Sequence, residues 1–517
     1  MQSGTDPRSN PLRSALCNRE FVCTAELVLG RDHTATEAEE FVRDASQHAG
    51  GIKVISLTDL PGGNPALPPE AFASFVREHN LTPIVHVSGK DGNRSFLEAR
   101  LHALARIGVE NLLALTGDAQ KVGFAGSAKP VHDLDSVLIL SLLAAMRGGI
   151  VYDVGPRTER TTPFDFFPGA VVNPYKVREP DLLMQFYKLQ LKAAAGAQFI
   201  ITQLGFNLRK LHELKQFMAR EGIAHVPVLA NVYVPTARIA RLMQSGEIAG
   251  CVISDEFIRR LEGEKKPQRL ERAALMLAAV KDLGFAGAHI GGFGLTHGDF
   301  LFILERAAAI GSNWRARIDE LLFAWQNEFC LFPEAGDGLS DGTADYQITR
   351  AQSRPSLVQR VAESVHRHFI QPGSLGARVF SGQLQQRAGS RLYRTLLAPS
   401  ILFRKAAFGC ANCGDCLQDY LSYAGCSMSR CYKELRNGPC GGSRTDGNCE
   451  ARPDQPCIWN QIYLGSRALG NDPGRFTQIL VPPRDWKLDR TNALLNRFAG
   501  LDNLAKRIDL RKDTKPC

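Results

Sequence analysis

The sequence predicts an α/β protein: a (β/α)8 TIM barrel, followed by a helical connector and a small cysteine-rich metal-binding domain. Three observations carry this reading. Short β-rich apolar runs alternate with amphipathic helical stretches eight times over residues 21–294. The runs are near-continuous, as in Ile52-Lys53-Val54-Ile55-Ser56-Leu57, which suits strands buried on both faces of a parallel sheet. Eight of the 13 cysteines fall in one late run: Cys410, Cys413, Cys416, Cys426, Cys431, Cys440, Cys449 and Cys457.

The strand candidates are 21–27, 52–59, 83–88, 111–118, 170–174, 199–205, 226–234 and 288–294. The helical stretches between them are 36–48, 69–79, 94–107, 134–146, 179–195, 208–221, 235–244 and 267–283. Gly108, Gly196, Gly222 and Gly284 stand at or just past helix ends, where a left-handed cap is common. A doubly wound open sheet is the alternative. No Gly-x-Gly-x-x-Gly follows the first strand, which argues against a dinucleotide-binding version. The expected division is an extension over 1–20, the barrel over 21–310, a connector over 311–405, the cysteine-rich domain over 406–465 and a tail over 466–517.

At 517 residues, two or three units are expected. A hydrophobic content of 44% supports a sizeable core. No run of about 18 apolar residues occurs, so no membrane span is expected. The polar start, Met1 to Asn10, does not read as a signal peptide, and a reducing cytoplasm is expected. The net charge of +9 suits an anionic ligand or simply a solvated basic surface. No nucleic-acid module is present in the pattern.

In such a barrel the functional groups stand at the C-terminal ends of the strands. There the sequence places Glu26, Thr58-Asp59, His86, Ser88, Gly117-Asp118, Asn173, Gln203, Asn231 and His289. Two acids at one mouth supply a proton donor and an electrostatic stabiliser. Acids and Ser or Asn at strand ends also cap the next helix, so each has a structural alternative. In the connector, 315–326 and 355–369 read as helices and 336–343 as a mobile acidic loop. His366 and His368 read as a solvated helix face.

The cysteine run opens with Cys410-x2-Cys413-x2-Cys416, the nested spacing that wraps iron–sulfur clusters. One Cys-x2-Cys pair with two later cysteines would equally serve a tetrahedral zinc. No histidine follows His368, so thiolates would dominate either site. A disulfide-stapled domain is the bland alternative, disfavoured in a reducing compartment. The glycine-rich turn Asn437-Gly438-Pro439-Cys440-Gly441-Gly442 would let the backbone pass close to a metal or a partner. A short helix after Cys457 is expected to pack over the site, and Cys517 reads as incidental.

With these segments assembled, the first 300 or so residues resemble the flavin-dependent methylenetetrahydrofolate reductases. The resemblance rests on Thr24-Ala25-Glu26, Leu115-Thr116-Gly117-Asp118 and, most specifically, Ala195-Gly196-Ala197-Gln198-Phe199-Ile200-Ile201-Thr202-Gln203. Residues 410–463 resemble the cysteine-rich domain that accompanies a subset of these reductases. Here Asn437 to Gly442 and Cys457-Ile458-Trp459 are the recognisable parts. The order, barrel then cysteine domain, is that of a fused form.

The resemblance implies an FAD-bearing barrel acting on folate. It implies Glu26 as the general acid for ring opening and Asp118 as the carboxylate beside flavin and pterin. It implies Gln203 as a folate contact, with Ser88, Gly117, Asn173, Lys176 and Lys192 near the FAD. The tyrosine and histidine usual near Asn173 and Lys176 are absent. The phenylalanine that stacks on the nicotinamide in better-known bacterial members is replaced in Ala230-Asn231-Val232-Tyr233-Val234-Pro235. That leaves NADH, NADPH or an electron-transfer protein partner open as donor. It also leaves open zinc or [4Fe-4S] in the thiol region, and homo-oligomers. The competing readings are a folate-dependent methyltransferase with thiolate-bound zinc, and a reductase active only with a partner docked on the cysteine region.

Overall fold

The computed structural model describes residues 10–48, 50–350, 354–371, 373–375, 377–378 and 391–509. Cys517 lies outside them. The chain divides into two compact units, residues 1–182 with 195–348, and residues 183–194 with 349–517.

In the first unit the apolar runs form eight parallel strands because both their faces are covered. They are β1 (Val22–Leu27), β2 (Val54–Leu57), β3 (Thr82–Ser88), β4 (Asn111–Leu115), β5 (Phe167–Val172), β6 (Phe199–Thr202), β7 (Val228–Tyr233) and β8 (Gly287–Gly291). They close in the order β1-β8-β7-β6-β5-β4-β3-β2. The helices are α1 (Pro11–Cys17), α2 (Thr36–Gln47), α3 (Pro69–Glu78), α4 (Arg94–Arg106), α5 (Ser136–Gly148), α6 (Glu179–Ala194), α7 (Leu208–Arg220), α8 (Ala237–Gln244), α9 (Asp255–Glu262), α10 (Lys266–Asp282) and α11 (His297–Ile310). Short polar side chains start several of them. Asn93 accepts from Phe96 N, Asp135 from Val137 N and Leu138 N, and Thr236 from Ile239 N.

Helix α1, expected only as part of an extension, closes the N-terminal end of the barrel. Leu12 and Leu16 pack with Val54, Ile84, Leu113, Phe167, Phe199 and Leu229. The Asn10 amide donates to Glu110 and Asn111, at the start of β4. The plug leaves the C-terminal end as the open one.

Residues 311–348, placed in the connector by the sequence, pack within this first unit. The loop expected to be mobile is instead tied down. Glu334 bridges Ser340, Arg209 pairs with Glu334, and Ser340 N donates to His212 Nδ1. The acidic residues turn inward on their own backbone, as where Asp341 accepts from Thr343 N. That short-range capping was not distinguishable from solvated acid by composition.

In the second unit, α12 (Leu357–Val365) runs into a π-helical turn at His366–Ile370. Helix α13 (Arg391–Phe408) leads into the cysteine run, and α14 (Ile458–Ala468) follows it. His366 is buried and shares a hydrogen bond with the Tyr423 hydroxyl (2.8 Å), which corrects its reading as a solvated residue. His368 is exposed. The turn at residues 437–442 approaches protein rather than open space. A Cβ on Gly438 would meet Lys188 and Phe476, and one on Gly441 would meet Gln185. Asn437 pins the turn by a paired exchange with Val481 N and O, both 2.9 Å. Among the described residues no helix is long and apolar enough to cross a membrane.

Candidate active site at the barrel mouth

The strand-end residues of the first unit converge at the C-terminal mouth. Thr24 and Glu26 lie two apart on β1, so both point to one face. Thr24 stands opposite His289 of β8, and the two share a 2.7 Å hydrogen bond to Nδ1. The other ring nitrogen of His289 is 4.0 Å from Glu26. Beside them His86 Nε2 shares a 2.7 Å hydrogen bond with Ser56. Burial works to raise the Glu26 carboxyl, but the neighbouring His289, with a smaller contribution from His86, outweighs it, and the net shift is downward. Burial also pushes His86 down, to about 4. The sequence named His86 and His289 as strand-end residues without a role. Their link to Glu26 comes from the closure of β8 against β1.

Asp118 follows β4, and its carboxylate accepts from Gly62 N at 3.0 Å. Gly117 beside it has a left-handed backbone, φ +86°, and lies against the Lys90 side chain. Burial, reinforced by the charges of Asp118 and Glu26 and opposed by that of Lys176, pushes the Cys251 thiol up to about 12. Glu26, Asp118 and Lys176 come from three separate strand ends. Cys251, on the segment between α8 and α9, carries no motif that would reveal this.

Gln203 and Asn173 end neighbouring strands, and Gln203 N donates to Val172 O. Asn173 donates to Gly250 O (2.7 Å) and so anchors the same α8–α9 segment. Ser88 is held from behind. Its N–H donates to Asp59, which Arg100 grips with both terminal nitrogens (2.9 and 3.1 Å). Asp59 is thus a support rather than a reacting group. The Ser88 hydroxyl and the Asn231 carbonyl are buried and have no hydrogen-bond partner among the described residues. Lys192 belongs to the second unit and lies in the last turn of α6, about 20 Å along the helix axis from Glu179.

Seven of the eight thiols of the run fall into two groups. Cys410, Cys413, Cys416 and Cys426 line one cavity. Cys431, Cys440 and Cys449 feel one another's charge, and burial pushes Cys431 up to about 12. All described cysteines are free, so no disulfide staples the region. Among the described residues no group of three or more His, Cys, Asp or Glu converges closely enough to hold a single metal ion.

Against known proteins, residues 13–287 match the profile of methylenetetrahydrofolate reductase. That match spans more than half of the chain. The chain belongs to the methylenetetrahydrofolate reductase family. It is an oxidoreductase of that activity. Residues 394–487 separately match the profile described as methylene-tetrahydrofolate reductase C terminal, so this reductase is the fused form. No curated protein matches the sequence of the reductase. Solved structures match at low similarity. One is an uncharacterized protein from Clostridium thermocellum that binds two copies of 5-methyl-5,6,7,8-tetrahydrofolic acid (14% identity, 58% of this chain and 98% of that one, TM-score 0.39). Others are 2,3-dimethylmalate lyase (16%, 58% and 83%, TM-score 0.33) and tryptophan synthase from M. tuberculosis (14%, 60% and 98%, TM-score 0.31). At these scores they carry no argument.

Proposed function

We propose that the reductase is a flavin-dependent enzyme interconverting 5,10-methylenetetrahydrofolate and 5-methyltetrahydrofolate at the barrel mouth, with Glu26 as general acid and Asp118 as cation stabiliser. The observation that supports this most is that Glu26, beside His289, and Asp118, on Gly62 N, end or follow strands of one barrel at its C-terminal mouth. Family membership supplies the reaction class.

The residues fit FAD. Ser88 offers a buried hydroxyl without a partner, Asn173 and Gln203 offer amides at adjacent strand ends, and Lys176 is a buried cation suited to phosphate. When bound, the flavin supplies hydride chemistry. The chain does the rest. Opening the five-membered ring of the substrate needs a proton at a ring nitrogen, and Glu26 is the acid placed to give it. In the open mouth the Glu26 carboxyl is held low by His289 and His86. The iminium carbon that results is cationic, and Asp118 stabilises it most when water is absent. Gln203 orients the pterin.

In the thiol region Cys410, Cys413, Cys416 and Cys426 line one cavity, a set that would serve either an iron–sulfur cluster or zinc. In this reading residues 21–310 form the catalytic barrel and 406–465 the metal-binding domain. The altered stretch around Tyr233 favours a protein electron donor over NADH or NADPH.

The test is anaerobic. Purified protein is expected to carry flavin absorbance, and methylenetetrahydrofolate is expected to reoxidise the reduced form. A colourless protein would instead favour the methyltransferase reading. Iron and acid-labile sulfide analysis decides the metal, and activity with reduced viologen but not NADH or NADPH would identify a protein donor.

A further inference from the structure

The net charge of +9 is not spread along the chain. Residues 350–409 hold ten Lys and Arg and one acid, Glu363, a net +9 by themselves. The rest of the chain carries 52 residues of each sign and is neutral. The single acid is turned toward protein, since Glu363 accepts from the Asn471 amide.

Helix α12 lies in this segment, and its packing is inverted relative to an ordinary surface helix. Its buried side is polar or small. Gln359 donates to Ser422 O (3.0 Å) and Gly465 O (3.2 Å), Ala362 is buried beside it, and His366 meets Tyr423. Its apolar side faces outward. Leu357, Val361 and Val365 recur every four residues and so form one stripe, with Val358 beside it and Phe369 on the turn that follows. Leu357 is 74% exposed, and the other four lie between 44% and 54%. Arg360 and Arg367 are exposed on the flank. The end of α13 repeats the combination, with Leu402 and Phe403 exposed next to Lys405. The two helices meet at one ring, since the His366 and Phe408 rings each lie 5.5 Å from that of Tyr423.

A contiguous bare apolar stripe marks an interaction surface, and charge selects the occupant. A second copy would set +9 against +9. A nucleic acid would use the arginines but leave the aliphatic stripe idle. Protein hot spots favour Trp, Tyr and Arg, with Leu and Val under-represented. An anionic bilayer uses both features: aliphatic side chains enter the acyl boundary while basic ones reach the lipid phosphates. We propose that α12 and the end of α13 lie on an anionic lipid bilayer, with the Leu357, Val361 and Val365 stripe in the acyl boundary and Arg360, Arg367 and Lys405 at the headgroups. The attachment is to the surface, in keeping with the absence of a membrane-crossing helix among the described residues. It is independent of the chemistry at the barrel mouth.

The experiment mixes the full chain with vesicles of phosphatidylcholine alone, or of phosphatidylcholine with an equal part of phosphatidylglycerol, and reads the bound fraction by flotation. Binding is expected with the anionic vesicles only, and it should weaken as salt rises because exposed charges are screened. Arg360→Gln combined with Arg367→Gln should weaken it about 30-fold, about fivefold for each arginine at the surface. Leu357→Ser, Val361→Ser and Val365→Ser together should weaken it by at least about tenfold at unchanged charge. The thermal midpoint of both variants should hold, because every substituted side chain is exposed. Wild type that ignores anionic vesicles overturns the proposal, as does a serine variant that binds them as tightly as wild type. Wild type that binds poly-glutamate but not vesicles overturns it in favour of an acidic protein. A wild-type dimer that the serine changes dissociate overturns it in favour of a second copy.

Discussion

The flank of α7 and the barrel mouth both bury charge, and they do so in opposite ways. On α7, Lys210 and Glu213 have fully buried side chains 2.7 Å apart. Lys210 also donates to Phe329 O, and Glu213 accepts from the backbone of Leu331 and Phe332. Burial opposes the Lys210 ammonium, yet the charge of Glu213 leads the groups that hold it above its usual range. At the mouth, by contrast, Glu26 and His289 stay 4.0 Å apart, and Ser88 and Asn231 keep buried polar atoms without partners. The first region is finished by the chain itself, as buried polar groups ordinarily are. The second leaves the Ser88 hydroxyl and the Asn231 carbonyl with hydrogen-bonding positions open to a bound ligand.

Four changes test that contrast. Glu26→Gln keeps shape but loses the proton, so folate turnover should fall by about 10²–10⁴-fold with little change in thermal midpoint. Near-normal turnover would remove Glu26 from its role. Lys210→Met strands a buried carboxylate and should cost about 3–5 kcal/mol in urea unfolding while folate affinity holds. A loss of affinity without a loss of stability would collapse the distinction.

The third concerns His86, whose folded value of about 4 lies below the ordinary 6.5. Between these two values the unfolded chain binds a proton that the folded one refuses. Its contribution is therefore complete above pH 6.5 and is lost as pH falls toward 4, by roughly 3 kcal/mol in all. His86→Gln should flatten that part of the stability profile, and an unchanged slope would mean that the proton goes elsewhere. The smallest effect is expected from Ser88→Ala. Removing a hydroxyl that has no partner should alter stability by less than about 1 kcal/mol. Flavin content per chain should nonetheless fall.

Much of the barrel was legible because its signals are local. Period-two and near-continuous apolar runs mark strands, and Asn93, Asp135 and Thr236 mark helix starts by their own side-chain bonds. The same rules missed α9 (Asp255–Glu262), a helix of only eight residues. They also misread 336–343, where acidic residues cap their own turn and the loop is fastened to α7 by Arg209 and His212. His366 looked solvated for the same reason: its partner, Tyr423, lies 57 residues away. At the site, Glu26, Asp118 and Gln203 were visible as motif residues. Asn231 was visible as a strand-end residue; Cys251 was not, since its neighbours are distant in sequence.

The order of strands and helices, the run of eight thiols and the acids at the strand ends follow from the sequence alone, because propensity, periodicity and spacing are properties of neighbouring residues. Which thiols share a cavity and which histidine stands by Glu26 were decided only by the tertiary structure. So was the use of Asp59, spent on Arg100 and Ser88 instead of on chemistry. Those outcomes depend on long-range closure: β8 must meet β1 before His289 can reach Glu26, and no local rule contains that contact.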